Sequence, residues 1–350
     1  MNANTKDKKE YLNLATYAFH KPKTLERARA FDKLLEFSKA YGHYENEKLT
    51  SMLIDSHFRG YWGDKNVKIS GIGYVASYPE YRGNGAIRQL MTESLREDYE
   101  EGTIFSYLAP FSYGFYEKFG YHYAFNQKHY KIPAQNFPKG QRTKGEISRE
   151  KFEFEAEMSN EKTVSKSSEI FKVLTDIHQK AYNQGSLVRS EELWSYFFIH
   201  KSQPHVAIYR ENGKALGYLL YEFSEMTFVI RELITLTDEA KQALYRFISS
   251  HAGSFSEIAW QAPADTLLEE EMIEPQRAEI KLVPYMQARI VNLKEFLKVN
   301  GQPNFSVQIT DDIIAENNMT IGEGKSEKMT IGQFTTKILK ENQAILREYF

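Results

Sequence analysis

The chain has 350 residues and a formal net charge of −2, and its 45 basic and 47 acidic side chains are interleaved without a long basic run. This length favours two or three domains over one, and the lack of a basic run argues against a nucleic-acid partner. The absence of cysteine excludes disulfides, thiolate metal ligands and a cysteine nucleophile, and we expect no metal cofactor.

The N-terminal residues 1–10 are polar and lead into a charged amphipathic stretch. A secretory signal would have an apolar segment there. Elsewhere no apolar stretch approaches the ~20 residues that a membrane-spanning helix needs. We therefore expect a cytoplasmic protein without a membrane span.

The first predicted elements are a helix and a meander of strands. Residues 25–38 alternate apolar and charged side chains at helical spacing, which predicts an amphipathic helix. Three runs rich in aromatic and β-branched residues follow at 41–45, 49–58 and 67–77, and polar or glycine-containing turns separate them. We predict three strands, the last of which ends before Pro79.

A loop with two glycines joins the third strand to the next helix, which is predicted from about Gly85 to Glu97. The loop reads Arg82-Gly83-Asn84-Gly85, and its glycines let a ligand approach the backbone closely. Exposed N–H groups at a helix N-terminus bind anions, so this loop is fit to hold phosphates. Taken alone, the pattern is more often an ordinary turn, and it lacks the features of ATP-binding and NAD-binding loops.

A second motif follows about thirty residues later along the chain. After a predicted strand at 103–108, the segment 111–121 reads Phe-Ser-Tyr-Gly-Phe-Tyr-Glu-Lys-Phe-Gly-Tyr. A short helix around 115–119 and a strand around 122–132 are predicted next. A linker rich in lysine, glycine and proline at 133–145 ends the first domain.

The second half repeats this order without the glycine loop. A helix at 168–182 precedes strands at 205–210 and 215–223 and a helix at 239–251. The corresponding junction at 230–235 reads Ile-Arg-Glu-Leu-Ile-Thr, which has no glycine, so we predict that this half lacks the phosphate site. An ordinary α+β domain with a coincidental order of elements is the alternative.

The last part of the chain begins after a polar segment at 263–284, which we predict to be a loop. An apolar run at 286–293 follows, and the sequence Met-Thr-Ile-Gly then occurs twice, at 319–322 and 329–332. Neighbouring strands with similar turns explain the two copies more simply than a functional repeat. The final stretch, 332–350, has apolar residues at helical spacing and ends on two aromatic residues.

Together, the loop motif and the segment 111–121 resemble the acyl-CoA site of the GNAT superfamily of N-acetyltransferases. Their order, with the segment 284–291 and the aromatic end, is similar to the enhanced intracellular survival (Eis) family. The resemblance implies an α+β fold of tandem GNAT-like domains, with mixed, mostly antiparallel sheets flanked by helices, and a small C-terminal α+β domain like sterol carrier proteins. The implied domains are 1–145 (catalytic GNAT), 146–284 (degenerate GNAT-like) and 285–350 (sterol-carrier-protein-like).

The resemblance implies acetyl-CoA as co-substrate in the first domain and no CoA in the second. The strand end at 75–77 is expected to pair with pantetheine, and the loop is expected to hold the pyrophosphate. The residues that we expect to bind acetyl-CoA are Val75, Ala76, Ser77, Arg82, Gly83, Asn84, Gly85, Ala86, Ile87, Arg88, Phe111 and Ser112.

Acetyl transfer to an amine needs one group that takes the proton of the amine and one that protonates the departing thiolate. Tyr116 is the expected acid, because a phenol of pKa ~10 can donate to a thiolate and because the resemblance implies a tyrosine donor at this place. By composition alone, a tyrosine beside Phe115 is more often a packing residue. An α-carboxylate is ionised at neutral pH, and the resemblance implies that the terminal carboxylate of Phe350 is the general base.

The resemblance also implies a polycationic amine substrate, such as an aminoglycoside, or a protein lysine, and a homo-oligomer of hexameric form. Two other functions stay open. One is a protein that senses acyl-CoA or a lipid without turnover. The other is an acyltransferase for other acyl chains or for peptide and protein amines. Turnover with acetyl-CoA alone distinguishes the favoured function from both.

Overall fold

The computed structural model describes residues 5–150, 161–182, 184–201, 204–344 and 348. The helices are α1 (Thr5–Ala18), α2 (Leu25–Leu34), α3 (Ala86–Glu100), α4 (Tyr113–Glu117), α5 (Glu161–Ala181), α6 (Glu191–His200), α7 (Asp238–Ser249), α8 (Leu293–Asn300) and α9 (Ile331–Glu341). The strands are β1 (Ser38–Glu45), β2 (Lys48–Trp62), β3 (Lys65–Ser77), β4 (Phe105–Leu108), β5 (His122–Pro133), β6 (Glu146–Glu150), β7 (Gln184–Leu187), β8 (His205–Glu211), β9 (Lys214–Ser224), β10 (Thr227–Thr235), β11 (Glu257–Pro263), β12 (Glu279–Ile290), β13 (Val307–Thr310), β14 (Met319–Ile321) and β15 (Glu327–Thr330). By its contacts the chain divides into two units, which are Met1–Phe125 with Tyr285–Ala344 and Asn126–Pro284 with Ile345–Phe350.

The first unit contains a mixed sheet in the order β1, β2, β3, β4 and β12. β1, β2 and β3 are antiparallel neighbours, β4 runs parallel to β3, and residues 287–290 of β12 pair antiparallel with β4. The predicted meander is confirmed, and each of its strands is longer than predicted. The helix predicted at 25–38 ends at Leu34 instead, because the chain turns there to enter β1 at Ser38.

Helix α3 covers one face of this sheet. It buries Leu90, Met91 and Leu95, which share one side of the helix because Leu95 lies about one turn after the other two. They form one apolar cluster with Leu53 of β2 and Leu108 of β4. Burial of one such side chain contributes roughly 1.5–3 kcal/mol relative to exposure, so this cluster holds the helix on the strands.

A small second sheet in the first unit has the order β14, β13, β15. The two Met-Thr-Ile-Gly copies flank the same strand in opposite directions, because β14 is antiparallel and β15 parallel to β13. The second copy leaves its strand at Thr330, whose side chain forms a capping box with Gln333 at the start of α9. The copies therefore have different turns, and the prediction of similar turns is wrong.

Two more boundaries near the C-terminus differ from the prediction. The segment predicted as a loop at 263–284 contains two short 3-10 turns and already enters β12 at Glu279. The final helix ends at Glu341, earlier than the apolar spacing indicates. Residues 285–344 group with the first unit, and a separate sterol-carrier-like domain at 285–350 stays a prediction. Within the described residues, no helix has the length and apolar character needed to cross a membrane.

In the second unit the strands pair in the order β5, β11, β10, β9, β8 and β6, to which β5 contributes residues 127–133. β10 and β11 are parallel, and the other neighbours are antiparallel. Helix α7 packs on this sheet through Ala240, Leu244 and Ile248. The element order predicted for this half is confirmed.

A buried ionic cluster in the second unit is centred on Arg189. Its guanidinium donates to Glu232 at 2.8 and 2.7 Å and to Glu348 at 3.1 and 2.9 Å. The Glu348 carboxylate also accepts the N–H of Leu187 at 3.3 Å and lies 3.4 Å from Nε2 of His178. Burial alone would raise the pKa of Glu348, but the charge of Arg189 and the ring of His178 lower this pKa to about 2.

We expect Glu348→Gln to lower the free energy of unfolding by about 2 kcal/mol at neutral pH, because hydrogen bonds to buried charged groups contribute ~1.5–3 kcal/mol and Glu232 still pairs with Arg189. The folded pKa of Glu348 lies below its ordinary value of 4.5, so this contribution is present above pH 4.5 and is lost as the pH falls toward about 2. Urea unfolding at neutral pH and at about pH 3 measures the difference between the two proteins.

The matched control is Glu341→Gln, which removes the exposed pair of Glu341 with Lys337. This change is expected to cost less than about 0.5 kcal/mol. A Glu348→Gln protein that loses the same stability at both pH values would contradict the ionised state of Glu348 in the cluster.

Candidate functional site

Strands β3 and β4 separate at the C-terminal end of β3. They pair in parallel only from Ile69 to Gly71 of β3, whereas β3 continues to Ser77 on its pairing with β2. Tyr74 lies at a bulge in that pairing and has a left-handed φ of 52°. Among the described residues, the backbone of 75–77 therefore has no ladder partner on the side of β4. An extended ligand can pair there as a strand would.

The side chains of this strand end are fixed by their surroundings. Val75 packs against the apolar cluster beneath α3, and Ala76 is buried. The hydroxyl of Ser77 lies 2.7 Å from the hydroxyl of Ser51 on β2. The strand end is thus ordered by β2 while its other backbone edge stays open.

The loop after β3 leaves open space beside its glycines. A 3-10 turn at Pro79–Tyr81 leads into it, and Gly83 and Gly85 have φ values of 84° and 88°, in the left-handed region that glycine adopts at low cost. A Cβ at either glycine would meet no atom of the described residues within 4 Å. Asn84 orders the loop, because its Oδ1 accepts the N–H of Ala86 at 3.0 Å. A bulky anion can therefore reach the backbone here.

Helix α3 begins directly after this loop, and its N-cap residue, Gly85, has no side chain that could accept an N–H of the first turn. The N–H groups of Ile87 and Arg88 lie in the first turn, where the helix provides no acceptor. Arg82 and Arg88 are exposed, and the guanidinium of Arg88 lies 5.9 Å from the ring centroid of Phe119. The positive end of the helix dipole and two arginines together favour an anion such as a diphosphate.

Tyr116 lies in α4 and is only 3% exposed. Its ring contacts those of Phe115 and Tyr121, with centroid distances of 5.0 and 6.3 Å. The apolar cluster that contains Tyr116 also includes Val75 and Ile87, so the structure brings the strand end, the helix start and this tyrosine together. Burial raises the pKa of Tyr116 above its ordinary value, and the phenol therefore keeps a proton to donate at neutral pH.

Phe111 and Ser112, which are both expected to bind acetyl-CoA, lie directly before α4. Phe111 is 73% exposed, and its ring packs edge-on against that of Tyr116 at 5.5 Å. Ser112 is the N-cap residue of α4, but its side chain makes no capping hydrogen bond. The exposed ring of Phe111 is therefore placed to contact a ligand that lies beside Tyr116. Phe350, the expected base, lies outside the described residues.

Sequence reasoning missed a buried polar chain beneath Tyr116. The hydroxyl of Tyr121 lies 2.7 Å from that of Ser106, which lies 2.9 Å from that of Ser70. Ser70 and Ser106 belong to neighbouring strands that are far apart in sequence, so no local pattern indicates that they meet. This series of hydroxyls holds Tyr121, whose ring contacts that of Tyr116.

The corresponding junction of the second unit has a different local structure. Strand β10 continues to Thr235, and α7 starts at Asp238. Thr237 caps this helix by accepting the N–H of Ala240 at 3.1 Å. The side chain of Thr237 therefore accepts a first-turn N–H of α7, whereas the N-cap of α3 makes no such bond. The junction in the second unit also has no glycine. The absence of CoA from this unit stays a prediction.

Two families of known domains match the sequence. Residues 1–124 match a family described as acetyltransferase (GNAT) domain, and residues 185–290 match a second family with the same description. No curated protein matches the chain significantly.

Solved structures match over nearly the whole chain. A protein from Enterococcus faecalis described as a probable N-acyltransferase is 31% identical, with a TM-score of 0.84, over 99% of this chain and 98% of that one. A GCN5-related N-acetyltransferase from Anabaena variabilis is 20% identical, with a TM-score of 0.80, over 99% and 93%. Eis1 from Mycobacterium abscessus is 16% identical, with a TM-score of 0.74, over 99% and 93%. At these lower identities the last two show similarity of fold.

Proposed function

Because this chain belongs to the GNAT superfamily of acetyltransferases, with two GNAT domains in an α+β fold, we propose that its first GNAT domain transfers the acetyl group of acetyl-CoA directly to an amine. GNAT domains use acetyl-CoA as co-substrate. One observation carries the proposal. The open edge of β3, the glycine loop and buried Tyr116 converge in the first unit.

The residues of the first unit fit acetyl-CoA, which supplies an activated acetyl group as a thioester. The backbone of Val75, Ala76 and Ser77 would hold the amides of the pantetheine arm. The N–H groups around Gly83 and Gly85 and the start of α3 would hold the diphosphate. The flanking contacts would come from Arg82, Asn84, Ala86, Ile87, Arg88, Phe111 and Ser112.

Tyr116 would act as the general acid in this proposal. Its burial keeps the phenol protonated at neutral pH, so it can donate a hydrogen bond and then a proton to a sulfur atom that gains negative charge. Tyr116 is only 3% exposed, and the rings of Phe111 and Phe115 pack against it, which limits the access of water to its side chain. Lower water access strengthens the donation, because charge is less screened there.

Release of CoA from acetyl-CoA, followed with a thiol reagent, tests the proposed reaction. The chain contains no cysteine, so the protein itself gives little background. The panel would contain polyamines, aminoglycosides and a lysine peptide. We expect release that depends on the amine. Tight acetyl-CoA binding without turnover on any amine would contradict the proposal and favour an acyl-CoA or lipid sensor.

For the general base, we propose the terminal carboxylate of Phe350, on the basis of the resemblance to the Eis family. One alanine added after Phe350 moves this carboxylate by a residue, roughly 3.3–3.6 Å of chain length. We expect turnover to fall about tenfold or more while acetyl-CoA binding is kept, since positioned bases contribute about 10²–10⁴-fold. Amidation of the terminus, which removes the charge without adding a residue, is the companion variant. Normal turnover in both proteins would exclude this base.

The acceptor is proposed to be a small polycationic amine of the aminoglycoside type or a protein lysine, as in Eis-like enzymes. A hexameric assembly, a sterol-carrier-like C-terminal domain and a cytoplasmic location belong to the same proposal. The second candidate is transfer of another acyl chain, which the description of the Enterococcus faecalis relative as a probable N-acyltransferase favours. Parallel assays with acetyl-CoA and a long-chain acyl-CoA separate the two.

A further inference from the structure

Three side chains that can bind a metal ion converge between β2 and α3, away from the residues assigned to acetyl-CoA. Asp55 and His57 alternate along β2 and therefore point to the same face of the sheet. Asp98 lies on the face of α3 that packs on the sheet. One potential ligand atom from each of the three side chains lies within 4.8 Å of the others. Nε2 of His57 is 3.7 Å from Oδ2 of Asp55 and 3.9 Å from Oδ1 of Asp98.

The two carboxylates are buried without a matching positive charge. Asp55 is 0% and Asp98 is 2% exposed, and in the described part of the chain their ion-pair partner is His57 alone. Lys39 lies opposite Asp55 on β1, but its ammonium pairs with Glu97. Buried charges in proteins are normally paired or coordinate a metal ion. The cluster thus has a deficit of positive charge.

Hydrogen bonding also leaves the cluster incomplete. Oδ1 of Asp55 and Oδ2 of Asp98 are buried and have no hydrogen-bond partner in the described structure. The other oxygen of each group is supported, because Ser94 donates to Oδ2 of Asp55 at 2.5 Å and Thr103 donates to Oδ1 of Asp98 at 3.0 Å. Buried carboxylate oxygens without a partner are costly. Supporting hydroxyls of this kind orient the ligands of many metal sites.

We propose that Asp55, His57 and Asp98 form a binding site for a divalent transition metal ion, with Zn²⁺ as the best fit. Two carboxylates and one neutral imidazole balance a charge of +2, and an imidazole ligand favours Zn²⁺ over Mg²⁺ or Ca²⁺. Tetrahedral ligand atoms at about 2.1 Å from a zinc ion lie roughly 3.4 Å apart. The two distances from Nε2 of His57, 3.7 and 3.9 Å, are close to this value, and the three ligand atoms, which lie within 4.8 Å of one another, would draw together around the ion. This inference goes beyond the sequence, from which no metal was expected.

The place of the site in the fold gives the ion a structural role. Asp98 lies in the last turn of α3, whereas the N-terminus of α3 follows the glycine loop. The ion would join this helix to β2, because both carboxylates would bind the same cation instead of repelling each other. His57 is exposed and offers a route of entry and a fourth position for water. Binding is therefore expected to stabilise the protein without contributing to acetyl transfer.

Calorimetric titration of the full-length, chelator-treated protein with ZnCl₂ tests the site, together with thermal unfolding. We expect about one equivalent to bind with a Kd in the micromolar range or below, and Tm to rise by several degrees in excess Zn²⁺. MgCl₂ at the same concentration should have little effect. His57→Gln and Asp98→Asn should each raise this Kd at least about tenfold.

His205→Gln is the matched control, because His205 is an exposed histidine on β8 in the other unit. The His205→Gln protein should still bind one equivalent of Zn²⁺ with unchanged Kd. His57→Gln keeps the test decisive if Asp98→Asn folds poorly, since the side chain of His57 reaches the surface. The proposal would be overturned if the unaltered protein bound no Zn²⁺ tightly, or if the His57→Gln protein bound Zn²⁺ with equal affinity. The two carboxylates would then be joined by a shared proton.

Discussion

Gly85→Asp is expected to raise the dissociation constant for acetyl-CoA at least about a hundredfold. Gly85 is the N-cap of α3, with a φ of 88° and open space where a Cβ would lie. An aspartate tolerates this conformation better than most residues do, so the fold should persist. Its carboxylate would occupy the place proposed for the diphosphate, and repulsion between like charges in a partly dry site costs several kcal/mol. Equilibrium dialysis or calorimetry with acetyl-CoA measures the effect.

Gly213→Asp is the matched control for this variant. Gly213 has a φ of 76°, and a Cβ there would also have no neighbouring atom within 4 Å in the described part of the chain. It lies in the turn between β8 and β9 of the second unit, so it imposes the same backbone cost away from the proposed site. Acetyl-CoA binding should be unchanged in this protein. Equal loss of binding in both variants, or normal binding by Gly85→Asp, would mean that the loop does not hold the diphosphate.

The order of the elements and the loop could be predicted from the sequence because their signals are local. Runs rich in aromatic and β-branched residues indicate strands. Gly83 and Gly85 indicate a loop whose backbone conformation is unfavourable for other residues. The ends of elements were less predictable. Apolar residues at helical spacing continue in the sequence beyond Glu341, where α9 ends, and such spacing alone does not fix the last residue of a helix.

The features that depend on contacts across the chain had no sequence signal. Strand β3 separates from β4 after Gly71 and is bulged at Tyr74, a residue type that seldom adopts a positive φ. The cluster of Asp55, His57 and Asp98 joins residues from a strand and a distant helix. Glu348 is a charged residue near the C-terminus, where side chains are usually exposed, but it is buried against Arg189. In each case tertiary contacts override the conformation or exposure that the residue type favours locally, as is common at functional sites.

Tyr116→Phe is expected to lower kcat by about 10²–10⁴-fold, the range that a positioned acid contributes, while acetyl-CoA binding is kept. The substitution removes only the hydroxyl, and the ring contacts with Phe111, Phe115 and Tyr121 remain. Because burial raises the pKa of Tyr116 above its ordinary value of 10, the phenol stays protonated throughout the neutral range. The activity of the unaltered protein should therefore show no loss from ionisation of Tyr116 below about pH 10.

Tyr113→Phe separates this role from the general effect of losing a hydroxyl in α4. Tyr113 lies in the same short helix, and its ring packs against Tyr123 outside the apolar cluster of Tyr116. It should keep nearly full kcat. If Tyr116→Phe also keeps kcat, another group protonates the thiolate and Tyr116 is a packing residue. If it loses kcat and acetyl-CoA binding together, the ring supports the shape of the site and the assignment of proton transfer to its hydroxyl fails. If Tyr116 is an acid that acts only as the thiolate departs, Tyr116→Phe should lower kcat and leave acetyl-CoA binding intact.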